Sequence, residues 1–169
     1  MFPIAGADTV VACSPEKAFA YAANLENFAA WFPGVISIDS DDELPFTAVG
    51  KHYRETVAVP LRGRREVRIK VVEVGASRRR LVTEGRLPLL LPRMEMEFLD
   101  AGPHACEVRW RMFSRNTRAL PRWTVLPLAR FVIRRRAESA LRNLRQRLEG
   151  AAPPSGPDDA IRATDRREP

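Results

Sequence analysis

The 169-residue sequence contains only two cysteines and two histidines, and no long apolar run. Cys13 and Cys106 are far apart in apolar, strand-like segments, so neither a disulfide framework nor a cysteine metal site is expected. His52 and His104 are also well separated, which argues against a two-histidine metal centre. No stretch approaches the roughly 18 apolar residues of a membrane-spanning helix, and the N-terminus lacks a secretory signal. These absences predict a reduced, cytoplasmic protein without a bound metal.

The signatures of common catalytic sites are missing as well. The sequence has no G-x-S-x-G motif, no glycine-rich phosphate loop and no cysteine–histidine pair in a supporting context. No cofactor is therefore expected, and any function has to be argued from the shape and lining of a pocket.

Charge is unevenly distributed along the chain. The formal net charge is +7, yet residues 1–50 carry one basic side chain, Lys17, against seven acidic ones. A basic balance is compatible with nucleic acid or an anionic membrane as a partner. The arginine-rich segment near the C-terminus lacks interleaved exposed aromatics, so nucleic-acid binding is not expected.

A long helical pattern from about Arg122 to Leu148 dominates the C-terminal part of the chain. Its apolar residues recur every three or four positions, and a mostly positive face lies between them. After Gly150 the composition becomes rich in proline and alternating charge, which predicts a disordered tail over 151–169. The rest, residues 1–150, is expected to form one domain.

Most of the chain before this helix is strand-like. Asp8–Cys13 predicts a first strand, and Val35–Asp39 predicts a second. Between them, Pro15–Asn24 predicts a short helix capped by Ser14, and Leu25–Trp31 predicts a second short helix. Alternating apolar and polar residues then predict an antiparallel meander with one dry face. In its first hairpin, a loop at Arg62–Arg64 would pair Val59 with Val67, Val57 with Ile69 and Glu55 with Val71.

This order of elements resembles the helix-grip fold of the START-like (SRPBCC) superfamily. The resemblance lies in Cys13–Tyr21, Asn24–Phe28, Trp31–Val35, Val49-Gly50 and Ala140–Leu144, and it covers about residues 8–149. Within the superfamily the sequence is most similar to members labelled polyketide cyclase/dehydrase. The resemblance implies an α+β fold with a curved antiparallel sheet of six to seven strands around a long C-terminal helix.

The resemblance also implies a pocket between the sheet and this helix that holds a lipid, polyketide or quinone-like molecule. The alternation of apolar residues predicts which side chains would line it, although ordinary core packing explains the aromatic and methionine residues equally well. The expected ligand-binding residues are Trp31, Phe32, Tyr53, Glu55, Val57, Ile69, Val71, Met94, Met96, Phe98, Trp110, Met112, Ile133, Ala137 and Leu141.

Glu55 is the most informative of these residues because it lies in phase with apolar neighbours on its strand. A carboxyl there would point into the pocket with a raised pKa, or would need a partner; the register above would bring Glu73 and Arg79 near Tyr53. The alternatives are a solvated or salt-bridged carboxylate, a group that orients a ligand, and a general acid or base. Tyr53 and His52 are the other candidate proton-transfer groups.

The segment Leu87–Pro92 is entirely apolar, contains two prolines and is flanked by Arg86 and Arg93. If exposed, it would form an apolar lip that touches a membrane or gates the pocket. If buried, it would pack on the apolar start of the last helix, at Trp123–Phe131.

Three functions therefore follow from the sequence. The leading hypothesis is binding or carriage of a hydrophobic small molecule. The alternatives are a polyketide cyclase or aromatase that acts in the same cavity, and a peripheral membrane module that uses Leu87–Pro92 and the arginine-rich helix face, including Arg134–Arg136. The sequence does not define an oligomeric state.

Overall fold

The computed structural model of the protein describes residues 1–59, 63–116 and 125–150. Within these residues, seven antiparallel strands form one curved sheet in the order β1-β7-β6-β5-β4-β3-β2. This confirms the expected α+β helix-grip fold. The elements are β1 (Phe2–Val11), α1 (Pro15–Ala23), a 3-10 helix (Leu25–Ala30), β2 (Val35–Ser40), β3 (His52–Val59), β4 (Gly63–Gly75), β5 (Arg80–Gly85), β6 (Pro92–Asp100), β7 (Cys106–Ser114) and α2 (Val125–Gly150).

Local sequence signals position the two short helices. The Ser14 hydroxyl accepts a hydrogen bond from the Lys17 backbone N–H at 3.3 Å, and Pro15 occupies the first turn of α1. Asn24 ends this helix, and its side-chain oxygen accepts from the Glu26 N–H at 3.2 Å to start the 3-10 helix. The first strand is longer than expected, because β1 begins at Phe2 rather than at Asp8.

The first hairpin of the meander has a different register from the one expected. Glu55 lies opposite Val67 and Val57 opposite Arg65, whereas the sequence predicted Val71 and Ile69 as their partners. The strands are displaced by an even number of residues, so each side chain keeps its face even though its partner changes. The loop predicted at Arg62–Arg64 is therefore wrong in part, because Gly63 and Arg64 belong to β4, while residue 62 lies outside the described residues.

The corrected register also removes the charged cluster expected beside Tyr53. Glu73 lies on the far part of β4, where its carboxylate accepts from the Arg80 guanidinium at 3.2 Å. Arg79 donates instead to Glu16 Oε1 at 2.7 Å.

Helix α2 packs mainly against β1 through one apolar stripe, formed by Ala137, Ala140, Leu141, Leu144 and Leu148. Two hydrogen bonds also attach α2 to the rest of the protein. Asn143 Nδ2 donates to the Trp31 carbonyl and Arg136 Nη1 donates to the Ala58 carbonyl, each at 3.1 Å. The predicted helix start at 122–124 and the tail at 151–169 lie outside the described residues. None of the helices in the described ranges combines the length and apolar character needed to cross a bilayer.

Candidate functional site

Glu55 lies on the inner face of β3, the strand next to the edge strand β2, and is only 7% exposed. The alternation of β3 turns Tyr53 and Glu55 inward and Arg54 outward, so the sequence pattern assigned the correct face. Its cross-strand neighbours are Ile38 on β2 and Val67 on β4, both apolar. Within the described residues Glu55 forms no salt bridge, so the solvated and salt-bridged alternatives do not describe this carboxyl.

Burial raises the pKa of Glu55 from its ordinary value of 4.5 to about 7. Loss of hydration is the sole cause, because the charged form has left water without gaining an opposite charge. A carboxyl of this kind exchanges its proton near neutral pH and, when protonated, donates a hydrogen bond.

Glu55 borders a partly open cavity of about 50 Å³ between the sheet and the 3-10 helix. Sites for drug-sized ligands usually have about 300–1,000 Å³, whereas the present cavity has room for only a few water molecules. Around Glu55 the inner face is therefore mostly filled by side chains of the described residues, which leave far less room there than the large hollow implied by the resemblance. The cavity is lined by Leu25, Phe28, Glu55, Val67, Ile69, Thr83, Gly85, Pro92, Met94 and Met112.

Four of the expected ligand-binding residues lie at this cavity, namely Glu55, Ile69, Met94 and Met112. The other expected residues surround it as packed core, so their contact with a ligand stays a prediction that depends on opening of this core. The buried ones are Trp31, Phe32, Tyr53, Val71, Met96, Phe98, Trp110, Ala137 and Leu141, and the partly buried ones are Val57 and Ile133.

An aromatic cluster extends from the cavity wall into the core. Phe28 lies 4.7 Å from Trp31 and 4.9 Å from Phe32 between ring centroids, and Phe32 lies 5.4 Å from Trp110. The indole Nε1 atoms of Trp31 and Trp110 are buried without a hydrogen-bond partner among the described residues, and the buried Tyr53 hydroxyl, which the Leu25 backbone N–H approaches, donates to no described acceptor. Unpaired buried donors are costly, so three of them in one region require an explanation.

The two other candidate proton-transfer residues lie in different places from Glu55. Tyr53 is fully buried, and burial, followed by the charge of Glu26, raises the pKa of Tyr53 to about 12. Its hydroxyl is therefore a hydrogen-bond donor at neutral pH. His52 lies on the outer face of the sheet, where its Nδ1 is 3.2 Å from Asp42 Oδ2 and away from the cavity.

The apolar segment between β5 and β6 lies at one end of the cavity, since Gly85 and Pro92, which flank it, are both cavity residues. Leu90 is buried, Leu87 and Leu91 are half-buried, and Leu89 is 38% exposed, so the segment is neither a free lip nor fully covered. The Ser114 hydroxyl donates to the Leu90 carbonyl at 2.5 Å, which attaches the segment to β7. Residues 123–124 of its expected packing partner lie outside the described residues.

Sequence reasoning missed six cavity residues: Leu25, Phe28, Val67, Thr83, Gly85 and Pro92. Leu25 and Phe28 were recognised only as residues of the second short helix, and Val67 only as a member of the first hairpin, so nothing in the sequence indicated that they meet Glu55. Thr83 and Gly85 follow the alternation of β5, but only the curvature of the sheet brings them to the same space.

No group of three or more histidine, cysteine, aspartate or glutamate side chains in the described ranges is arranged to hold a metal ion. What the site offers is a small apolar space with one ionisable group.

A seven-stranded curved sheet packed around a C-terminal helix is the helix-grip fold, and in this protein its apolar interior holds one carboxyl. Among similar solved structures are TTHA0849 from Thermus thermophilus and a START superfamily protein from Mycobacterium smegmatis. The former has a TM-score of 0.68 at 15% identity over 88% of this chain and 99% of that one. The latter has a TM-score of 0.62 at 12% identity over 89% and 99%.

The chain is also similar to BexL, a di-domain ARO/CYC protein from the BE-7585A biosynthetic pathway. The TM-score is 0.59 at 14% identity, over 89% of this chain and 46% of BexL, so the match spans about half of that protein. At these identities the likeness shows the fold alone. No protein of curated function matches the chain.

Residues 6–149 match the family described as polyketide cyclase / dehydrase and lipid transport, and the chain belongs to that family. Membership supports a role in binding a hydrophobic ligand or in cyclase chemistry.

Proposed function

We propose that the protein binds a hydrophobic small molecule that carries oxygen atoms, with its polar end at Glu55 and its apolar body between the sheet and the helices. The observation that carries this proposal is the single buried carboxyl on the wall of an apolar cavity, with no charged partner among the described residues. Burial of such a carboxyl does not stabilise the folded protein, because it opposes ionisation without providing a charged partner.

The unpaired donors support an oxygenated ligand rather than a pure hydrocarbon. The indole N–H groups of Trp31 and Trp110 and the hydroxyl of Tyr53 have no acceptor among the described residues. Carbonyl or hydroxyl oxygens of a ligand would supply the missing acceptors, and each such bond relieves the cost of a buried, unpaired donor.

Binding requires the cavity to enlarge. A volume of about 50 Å³ is several-fold below that of ordinary ligand sites, so a polyketide or lipid would have to displace side chains or the segment between β5 and β6. That segment is suited to such movement, because Leu89 and Leu91 adopt the unfavourable positive φ angles of 71° and 45°.

Native mass spectrometry of freshly purified protein tests the proposal. We expect a population with an added mass of an apolar molecule, which denaturation releases and Glu55→Gln depletes. Glu43→Gln is the matched control, because Glu43 is an exposed carboxyl outside the cavity and should retain the ligand. Protein that carries no adduct, and that binds none of a panel of fatty acids, quinones and aromatic polyketides, contradicts the proposal.

A cyclase or dehydrase reaction is the second candidate, and the pKa of Glu55 near 7 is the observation that favours it. A general acid or base is most effective when its pKa lies close to the working pH, and a shielded apolar site would fold a reactive chain around it. If the protein is an enzyme, Glu55→Gln should abolish turnover while ligand binding persists. If the protein is a carrier, neither the wild type nor Glu55→Gln should convert a polyketide that binds in the cavity.

A further inference from the structure

A groove of about 520 Å³ lies on the outer face of β3, β4 and β5, behind the strands whose inner face lines the Glu55 cavity. Alternation along β4 separates the two sites, since Val67 faces the cavity while Arg68 and Lys70 border the groove; Ile69 borders both. The volume of the groove is within the range of small-molecule sites. The function proposed for the cavity makes no use of this groove.

The groove is rich in cations. Two of the residues that border it, Ile69 and His52, carry no fixed charge. Its fixed charges are Arg68, Lys70, Arg86 and Arg115 against Asp41 and Glu84.

Both carboxylates are already engaged. Asp41 Oδ1 accepts from Arg54 Nη2 at 2.5 Å. Glu84 lies 2.9 Å from Arg93 Nη1 and 2.9 Å from Arg115 Nη1. They therefore provide little compensation for the remaining groove cations.

Three cations remain with little or no compensation. The nearest carboxylate oxygen to Arg68 is Asp41 Oδ2 at 4.0 Å, and Lys70 and Arg86 form no ion pair within the described part of the chain. The Arg86 backbone N–H donates to the Arg68 carbonyl at 2.8 Å, which places Arg86, just beyond the end of β5, beside Arg68 on β4. Like charges in such positions destabilise a sheet, and a bound anion would remove that cost.

We propose that this outer groove, bordered by Arg68, Lys70 and Arg86, binds a small molecule that carries two linked or adjacent phosphates. Neighbouring strands lie about 4.8 Å apart and alternate residues of one strand about 6.6 Å apart, so the three cations are spaced for two phosphate groups. Arginine guanidinium groups bind phosphate through two parallel hydrogen bonds, and Lys70 adds a third charge. This site stands independently of the ligand proposed for the cavity.

Isothermal titration calorimetry of the full chain with inorganic pyrophosphate tests the proposal, with orthophosphate as the comparison ligand. We expect pyrophosphate to bind more tightly than orthophosphate, with an affinity that falls as salt is raised. Lys70→Gln and Arg86→Gln should each weaken pyrophosphate binding by about tenfold, the value of one charge-assisted contact. Arg78→Gln, which removes an exposed arginine outside the groove, should not change it.

Thermal unfolding supplies a second readout, with and without pyrophosphate. Arg86→Gln should leave the free protein as stable as the wild type or slightly more stable, because it removes repulsion from Arg68, and pyrophosphate should raise the melting temperature less in this variant.

The proposal is overturned if pyrophosphate does not bind, if it binds no better than orthophosphate, or if Arg78→Gln weakens binding as much as the groove variants do. The proposal is also overturned, in favour of a membrane-binding surface, if the protein floats with phosphatidylserine vesicles but does not bind pyrophosphate. Glu55→Gln changes the cavity and leaves the groove intact. Pyrophosphate binding by this variant therefore tests the groove independently of ligand binding in the cavity.

Discussion

At the scale of single residues, Glu55 is the group whose burial is least explained by stability. Its two strand neighbours are apolar, and no described residue gives it an opposite charge. The folded state therefore holds the carboxyl in its neutral form until the pH approaches 7, whereas the unfolded chain ionises it near the ordinary value of 4.5. This difference couples folding to pH in a direction opposite to that of most acidic residues.

The free energy of unfolding should therefore fall as the pH rises from about 4.5 through 7. Below 4.5 both states are protonated, and above 7 the folded protein bears the full cost of the charge, about 3 kcal/mol. Glu55→Gln keeps the shape but cannot ionise, so it should be close to wild type at pH 5 and more stable by up to about 3 kcal/mol at pH 8. Urea denaturation at both pH values measures this difference.

Glu43→Gln serves again as the control, and its difference from wild type should not show this rise between pH 5 and pH 8. If Glu55→Gln differs from wild type by the same amount at both pH values, the carboxyl is not neutralised by burial.

Asp42 and Lys51 form a pair whose response to acid has the usual direction. Lys51 is 4% exposed, and its Nζ lies 2.9 Å from Asp42 Oδ1. This contact is the largest of the causes that lower the pKa of Asp42 from 3.8 to about 2. The stabilisation is complete above pH 3.8 and is lost as the pH falls through about 2, because the unfolded chain takes up the proton first.

Lys51→Met should therefore be less stable than wild type at pH 5, and its stability should fall less steeply between pH 4 and pH 2. Circular dichroism during acid titration would follow both proteins. Parallel acid transitions for wild type and variant would show that the pair does not control this range.

At the scale of elements, the sequence predicted which face of the sheet a side chain occupies better than it predicted the cross-strand partner of that residue. Alternation along β3 assigned Glu55 to the inner face whichever register the hairpin adopted, because every even displacement keeps the same faces. The register itself depends on where the turn begins. Gly63 suggested a turn at its own position, yet it starts β4 with a φ of 68°. A glycine in this conformation fits the end of a turn as well as its centre.

The regular alternation of the strands also made part of the candidate site predictable. Met94 and Met112 were identified because their strands alternate regularly and lie opposite one another in β6 and β7. Phe28 was recognised only as a helix residue, because its approach to Glu55 depends on how the 3-10 helix sits on the curved sheet. Such a contact between distant segments has no local sequence signal.

The segment between β5 and β6 stores backbone strain at Leu89, which has a φ of 71° and is 38% exposed. Leu89→Gly and Leu89→Ala lose the same contacts beyond Cβ, but only glycine adopts this φ without a steric penalty. Leu89→Gly should therefore be more stable than Leu89→Ala by about 1 kcal/mol, the reverse of the usual order of these residues in strands and helices. Thermal unfolding of the two variants checks the order, and a more stable alanine variant would contradict it.

At the scale of the whole molecule, the proposed function requires a packed core to make room for a ligand. Most of the residues that the sequence assigned to a ligand wall are buried against one another, and the space beside Glu55 is about 50 Å³. Ligand binding and core packing therefore compete for the same side chains, and a variant that creates space in advance should bind better although it is less stable.

Met94 and Met96 allow this competition to be tested with matched variants. Both are buried on the inner face of β6, but Met94 lines the cavity and Met96 does not. Met94→Ala and Met96→Ala should each lower the free energy of unfolding by about 2–5 kcal/mol. Only Met94→Ala should bind a fluorescent fatty acid more tightly than wild type, because it enlarges the space beside Glu55. Equal affinities in the two variants, measured alongside their urea unfolding curves, would show that binding does not proceed through this cavity.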